Sequence, residues 1–215
     1  MAWTNPRAAA VSDVFTAPWY NSEIRDDLLW VVRPLAPPIT TEKDVVSSTS
    51  TTDLLLPTGL TITGGSIGAN GTLRAFLAGD FKNSTGSNQT ITLSIVLGGT
   101  TLWSSITTTL ATAANRHNWI MEFNITNCGA QNSQFLTGVW YYSTSNAAIT
   151  GLGDLATVAT AAAGPSVVPF GSNGKTTVDT ASNQTLTVTA LLSANSANLS
   201  IRREYASFEL VGQGA

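Results

Sequence analysis

The sequence predicts an all-β protein: a jelly-roll-like antiparallel β-sandwich preceded by a short N-terminal helix and an extended arm. Three observations carry that expectation. From residue 53 onward, short runs of alternating apolar and polar residues recur between clusters of Gly, Asn and Ser, and a period of two marks a strand with one buried face. No convincing helical pattern separates those runs in a way that would build βαβ units, so about eight or nine strands with one wet face each fold as two packed sheets. Finally, SNQTITLSIVL at residues 87–97 is echoed by SNQTLTVTALL at 182–192. The echo fits equivalent strands of two Greek-key halves, and ordinary turn-to-strand chemistry would also produce it.

Residues 15–32 read FTAPWYNSEIRDDLLWVV. Trp19, Ile24, Leu28 and Val31 fall at helical spacing, while Glu23, Asp26 and Asp27 mostly point elsewhere, the pattern of a short amphipathic helix. Thr16 is placed to cap it and Pro18 suits its first turn. Pro34, Pro37 and Pro38 then end the helix and begin the extended arm. A helix of about four turns is marginal alone, so Trp19 and Trp30 are expected to pack on the chain's own β domain or on a neighbouring subunit. Residues 40–53, TTEKDVVSSTSTTD, have few apolar positions and no sustained period, and read as a linker or loosely held loop. The expected division is therefore residues 1–52 for arm, helix and linker, and 53–215 for the sandwich.

Within the sandwich the clearest strand is QTITLSIVL, with Ile91, Leu93, Ile95 and Leu97 on one face and Thr92 and Ser94 on the other. NWIMEFNIT repeats the pattern with Trp119, Met121, Phe123 and Ile125. Further strands are expected at 54–63, 72–81, 100–106, 134–142, 175–179, 184–192 and 199–211. In the last of these Leu199 and Ile201 share one parity and Phe208 and Leu210 the other, which calls for a bulge or break between Arg202 and Tyr205. Residues 143–173 are rich in Ala, Gly and Pro and longer than a plain loop within a compact domain. They are expected to be either a functional excursion, an arm or loop ordered by a neighbouring subunit, or a stretch that holds a short element of its own.

The composition narrows the function. Charged residues make up 11% of the chain, against about 25% in an average protein. With 10 basic and 13 acidic residues and no basic stripe, a nucleic-acid surface has nothing to be built from. His117, the single histidine, directly precedes the strand of Trp119 and reads as a turn or strand-edge residue; no G-x-S-x-G elbow accompanies it. The single cysteine, Cys128, excludes an intrachain disulfide and any multi-cysteine metal site. Carboxylates remain for a hard cation, but no calcium loop is present, and the GKT at 174–176 lacks the rest of a phosphate loop. No catalytic residue, metal or cofactor is expected. No apolar run approaches about 18 residues and no signal-like start is seen, so no membrane partner is expected, and assembly is expected in the cytoplasm.

Aromatic residues supply the contact candidates. Trp140, Tyr141 and Tyr142 lie in succession, so both faces of that strand carry rings, one for the core and one for a contact. Trp140 and Tyr141 are interface candidates, with sugar binding as the sharper reading of the same pair. Arg202 and Arg203, beside Glu204, read as a charged edge or interface pair.

The segment FTAPWYNSEIRDDLLWV, residues 15–31, resembles a recurring N-terminal element of tailed-bacteriophage virion proteins. There an aromatic or Leu, then Asn, then a charged helix ending in Arg–Asp–Asn–Leu precedes a β domain. Trp19, Asn21, Arg25, Asp26, Asp27 and Leu28 occupy the corresponding places, with Asp27 where Asn is usual. Residues 71–103, 118–126 and the terminal pattern TVDTASNQTLTVTALLSANSANLSIRREYASFEL are similar to the β-sandwich domains of such proteins. The resemblance implies a noncatalytic virion component. Its first form is a capsid cement or decoration protein, a homotrimer of jelly rolls bound to the major capsid protein on the outer surface of the head. Its alternative is a tail-fibre, baseplate or adaptor protein in host attachment, with a receptor glycan as partner. In the first form Trp19, Tyr20, Ile24, Arg25, Leu28 and Trp30 are the candidate capsid anchor.

Overall fold

The computed structural model describes residues 32–55, 59–105, 108–110, 112, 116–143 and 165–212. In chain order the strands among these residues are β1 (Val32–Pro34), β2 (Lys43–Val46), β3 (Thr52–Asp53), β4 (Leu60–Ile62), β5 (Thr72–Asn83), β6 (Gln89–Leu97) and β7 (Thr100–Ser104). They continue with β8 (Thr108–Leu110), β9 (His117–Asn127), β10 (Gln134–Ser143), β11 (Pro165–Gly171), β12 (Gln184–Leu192) and β13 (Leu199–Val211). Each long alternating run of the sequence has become a long strand, because alternation lets one edge-on ribbon bury apolar side chains and wet its polar ones.

Two antiparallel sheets result. The first runs β13, β5, β9, β10, β11, with β1 and β2 laid end to end along the other side of β13. The second is centred on the pair β12 and β6; β3 and β4 line the far side of β12, and β7 and β8 the far side of β6. The chain passes between the sheets from β2 to β3, β4 to β5, β5 to β6, β8 to β9, β11 to β12 and β12 to β13. Between them lie Leu73, Leu77, Met121, Phe123 and Ile125 from the first sheet and Leu93, Ile95, Leu186, Val188 and Ala190 from the second, all fully buried. Each large aliphatic or aromatic side chain so placed contributes about 1.5–3 kcal/mol.

The parity switch in β13 takes the form of a register shift against β5 between Arg203 and Tyr205. Leu199, Ile201 and Arg203 face inward before it, and Ala206, Phe208 and Leu210 after it. Gly79, the partner of Arg203, makes the bulge possible: a Cβ there would lie 1.9 Å from the Arg202 carbonyl oxygen.

Several expectations are corrected. Residues 40–53 are not a plain linker, since β2 pairs with β13 and β3 with β12. Each of these strands needs only one or two inward residues, Val45 for β2, which is too few to register as a period. The arm from Pro34 to Ile39 runs along its own sandwich: Leu35 N–H donates to the Phe208 carbonyl at 2.8 Å, and Ile39 and Ala206 exchange backbone bonds of 2.7 and 3.0 Å. Among the described residues of 54–63, Leu60–Ile62 is the strand; Leu54 and Leu55 are buried in irregular backbone. In 175–179 no strand forms, because the Val178 N–H is taken by the Gln134 side chain at 2.9 Å and only Thr176 bridges to Gln134. Of the excursion at 143–173, Ser143 closes β10, and Pro165–Gly171 is a strand antiparallel to it; its middle, 144–164, lies outside the described residues. So does the expected helix at 15–32, except for Val32, which begins β1.

Candidate binding face of the first sheet

Because Leu73, Ala75 and Leu77 point into the core, the intervening Arg74, Phe76 and Ala78 of β5 point to the outer face. Cross-strand register aligns Tyr205, Ala78, Ile120, Tyr141 and Val167 in one row over β13, β5, β9, β10 and β11. The next row is Ser207, Phe76, Glu122, Val139 and Pro169, and the one after it Glu209, Arg74, Asn124, Thr137 and Gly171. Tyr205 belongs to this face because of the bulge: without it, residue 205 would share the inward parity of Arg203. Ile120 is 38% exposed and Val167 48%. The Phe76 and Tyr205 rings meet edge to face at 6.0 Å, the arrangement aromatic quadrupoles favour. Beside them Arg74, Phe76, Glu122, Ser207 and Glu209 line a shallow hollow of about 240 Å³. Arg74 and Glu209 pair across it at 3.7 Å, both well exposed, so the pair adds less than about 1 kcal/mol. An apolar row bordered by hydroxyls, amides and carboxylates can cover a flat apolar surface and hydrogen-bond its rim.

At the end of this face lies a charge cluster. Asp80, 7% exposed, accepts from Arg116 Nε and, at 2.7 Å, from Arg202 Nη2. Arg116 also donates to Ser200 Oγ at 3.1 Å, and Arg202 reaches Glu204 at 2.9 Å and Glu42 at 3.3 Å. The hydrogen bond to Asp80 holds the Arg202 guanidinium above its ordinary pKa, against the opposing effect of burial. The cluster ties the segment before β2, β5, the start of β9 and β13 together.

Arg203 points the other way. It is 2% exposed, and its guanidinium donates to the carbonyls of Leu54 (2.9 Å), Leu55 (2.9 Å), Thr41 (2.6 Å) and Ile39 (3.4 Å). Burial lowers its pKa, with nearby Asp53 acting in the opposite sense. It is an internal strut rather than half of a surface arginine pair.

The ring triplet divides as the alternation requires. Tyr141 joins the outer row, whereas Trp140 is in the core, 4.4 Å from the Tyr142 ring. Trp140 thus has no face to offer a sugar or a partner. Nearby, Trp103 of β7 stacks on Phe170 of β11 at 4.1 Å and joins the two sheets. Gly138 leaves the room for that ring, since a Cβ would lie 2.4 Å from it. His117 is buried against Phe81, ring centroids 5.5 Å apart. Cys128 is half-buried and unbridged. Among the described residues no group of three or more His, Cys, Asp or Glu is placed to hold a metal ion.

Tyr205, Phe76 and Ile120 were not singled out from the sequence. The available signal was an apolar residue at a position that alternation assigns to solvent: Phe76 within LRAFLAG and Ile120 within NWIMEF. The candidate anchor residues Trp19, Tyr20, Ile24, Arg25, Leu28 and Trp30 lie outside the described residues.

No family model matches the chain, and no curated protein matches it. Among solved structures, the CBM2 module of the evolved Dit of Lactobacillus casei BL23 phage J-1 is similar at 10% identity, over 72% of this chain and 68% of that one, with a TM-score of 0.31. The alginate lyase from Klebsiella pneumoniae is similar at 11% identity, over 69% of this chain and 61% of that one, with a TM-score of 0.24. Both overlaps are too loose to carry a shared activity or a shared site.

Proposed function

We propose that the chain is a noncatalytic structural component of a phage particle, built on a jelly roll and engaged in host attachment at the tail. The jelly-roll reading is supported by strand order: β2, β13, β5, β9 against β4, β12, β6, β7 is the order of two interleaved Greek keys, with the β10–β11 hairpin added at one edge. The phage origin rests on the resemblance of residues 15–31 and of the β segments. The observation that carries attachment is the outer face of the first sheet, where Tyr205, Ile120, Tyr141 and Val167 form an apolar row, joined in the next row by Phe76, Val139 and Pro169 alongside the polar Ser207 and Glu122.

One feature favours attachment over the capsid cement reading. Pro34, Leu35, Ile39 and residues 43–46 pair with β13 of the same chain, so this part of the arm is committed to its own sandwich and does not itself span a boundary. In either location the chain is a virion protein that associates with copies of itself.

The test is gold-labelled antibody against the whole chain on intact particles. Label at the tail tip is the expected outcome. Label spread over the head would overturn the attachment reading in favour of decoration.

A further inference from the structure

We propose that the row from Tyr205 to Val167 binds an uncharged, hydroxyl-rich glycan laid across the strands of the first sheet; this rests on the attachment reading and names its ligand class. Neighbouring strands lie about 4.8 Å apart. The five-strand row is therefore about 19 Å long, with Tyr205 and Tyr141 about 14 Å apart over β13 and β10. That length accommodates several sugar units. Pyranose rings have an apolar C–H face that rests on an aromatic or aliphatic platform, and a polar rim that needs partners. Partners are supplied by the flanking rows, through Ser207, Glu122, Asn124 and Thr137.

Charge selects the class of glycan. No charged side chain lies in the row itself. Arg74, the cation of the adjoining hollow, is paired with Glu209, which leaves Glu122 as the excess charge there, on a chain of net charge −3. An anionic polysaccharide would meet a carboxylate with no uncommitted cation to offset it. A neutral glycan uses the same carboxylates as hydrogen-bond acceptors. A second copy of the chain fits less well. The apolar strip widens to Phe76, Val139 and Pro169 in the next row, but Glu122 interrupts it there and Arg74 and Glu209 lie in the row after, whereas a stable protein interface takes about 1,200–2,000 Å² with a core depleted of charge.

The experiment is affinity electrophoresis of the whole chain through gels carrying a neutral mannan, galactan or glucan, or anionic hyaluronan or pectate. Tyr141→Ala and Tyr205→Ala are run alongside, with thermal melts to confirm folding and Tyr141→Phe and Tyr205→Phe as conservative variants. The expected result is retardation by at least one neutral polysaccharide, weakened about tenfold by each Ala variant and largely kept by the Phe variants. Retardation only by the anionic polymers, retardation by a neutral one undiminished in folded Ala variants, or no retardation by any polymer would each overturn the proposal. Tail-tip labelling without glycan retention leaves attachment standing and removes the glycan. Head labelling with tyrosine-dependent retention does the reverse.

Discussion

Ser94 and Thr189 face each other across β6 and β12, and they occupy the same position in the two echoing segments, SNQTITLSIVL and SNQTLTVTALL. The echo is therefore folded about its own middle. Leu97 lies against Leu186 at one end of the pairing and Ile91 against Leu192 at the other, so similar sequences run in opposite directions past a local two-fold. Whatever favours one segment as a strand favours its partner in register.

Replacing Ser94 by Thr should make that central pair Thr–Thr while keeping the hydroxyl that donates to Ser104 at 2.9 Å. Cross-strand pairs of this kind contribute about 0.2–1 kcal/mol. A thermal melt should move upward; a lowered melting temperature would show that the position is governed by something other than its cross-strand neighbour.

Arg203→Met should be among the most damaging single changes in the chain. Four carbonyls, of Ile39, Thr41, Leu54 and Leu55, would lose their donor in a dry environment, at a cost of about 3–5 kcal/mol. Urea unfolding measures it. A loss under about 1 kcal/mol would mean that the arm and the 54–55 segment hold without the strut.

At the bulge, Gly79→Ala should destabilise by about 2 kcal/mol or more, since the new methyl meets a backbone oxygen rather than a side chain that can swing aside. Because the bulge turns Tyr205 outward, the same variant should also weaken binding to the outer face. A variant with wild-type stability would show that β13 can shift its register freely.

Asp80→Asn and Arg74→Ala should separate shielded from exposed electrostatics. The first leaves two guanidiniums without their shared carboxylate and should cost about 2–4 kcal/mol, with much of the effect surviving in 1 M salt. The second breaks an exposed pair and should cost under about 1 kcal/mol. Equal effects in urea titrations would contradict this assignment.

Sequence periodicity made the long strands and the β13 bulge legible, because each of those elements spends five or more residues repeating one choice of inside and outside. It missed β1, β2, β3 and β8, which are held by backbone pairing to a longer neighbour and bring few inward residues of their own. A short element within 143–173 is one of two readings of that stretch, but periodicity does not identify it as β11, because Pro165 and Pro169 disguise a strand that is registered by β10. The binding face was half legible. Tyr141 stood out in its ring triplet, but the row needs the registers of four pairings, and no local pattern encodes those. Arg203 was assigned to the surface because its charge is visible in the sequence, whereas its acceptors are main-chain carbonyls 148 to 164 positions away.

The margins of the two sheets carry one more consequence. On three of the four, the last strand is split into two short pieces, β1 with β2, β3 with β4, and β7 with β8; on the fourth, β11 contains Pro165 and Pro169. Among the described residues none of these edges offers a long, unbroken ladder of amide donors to a foreign strand. A protein with so little charge would otherwise be prone to stack edge to edge into fibres when crowded. Among the described residues, then, every sheet edge is short or interrupted, which disfavours growth by strand addition when many copies are concentrated side by side.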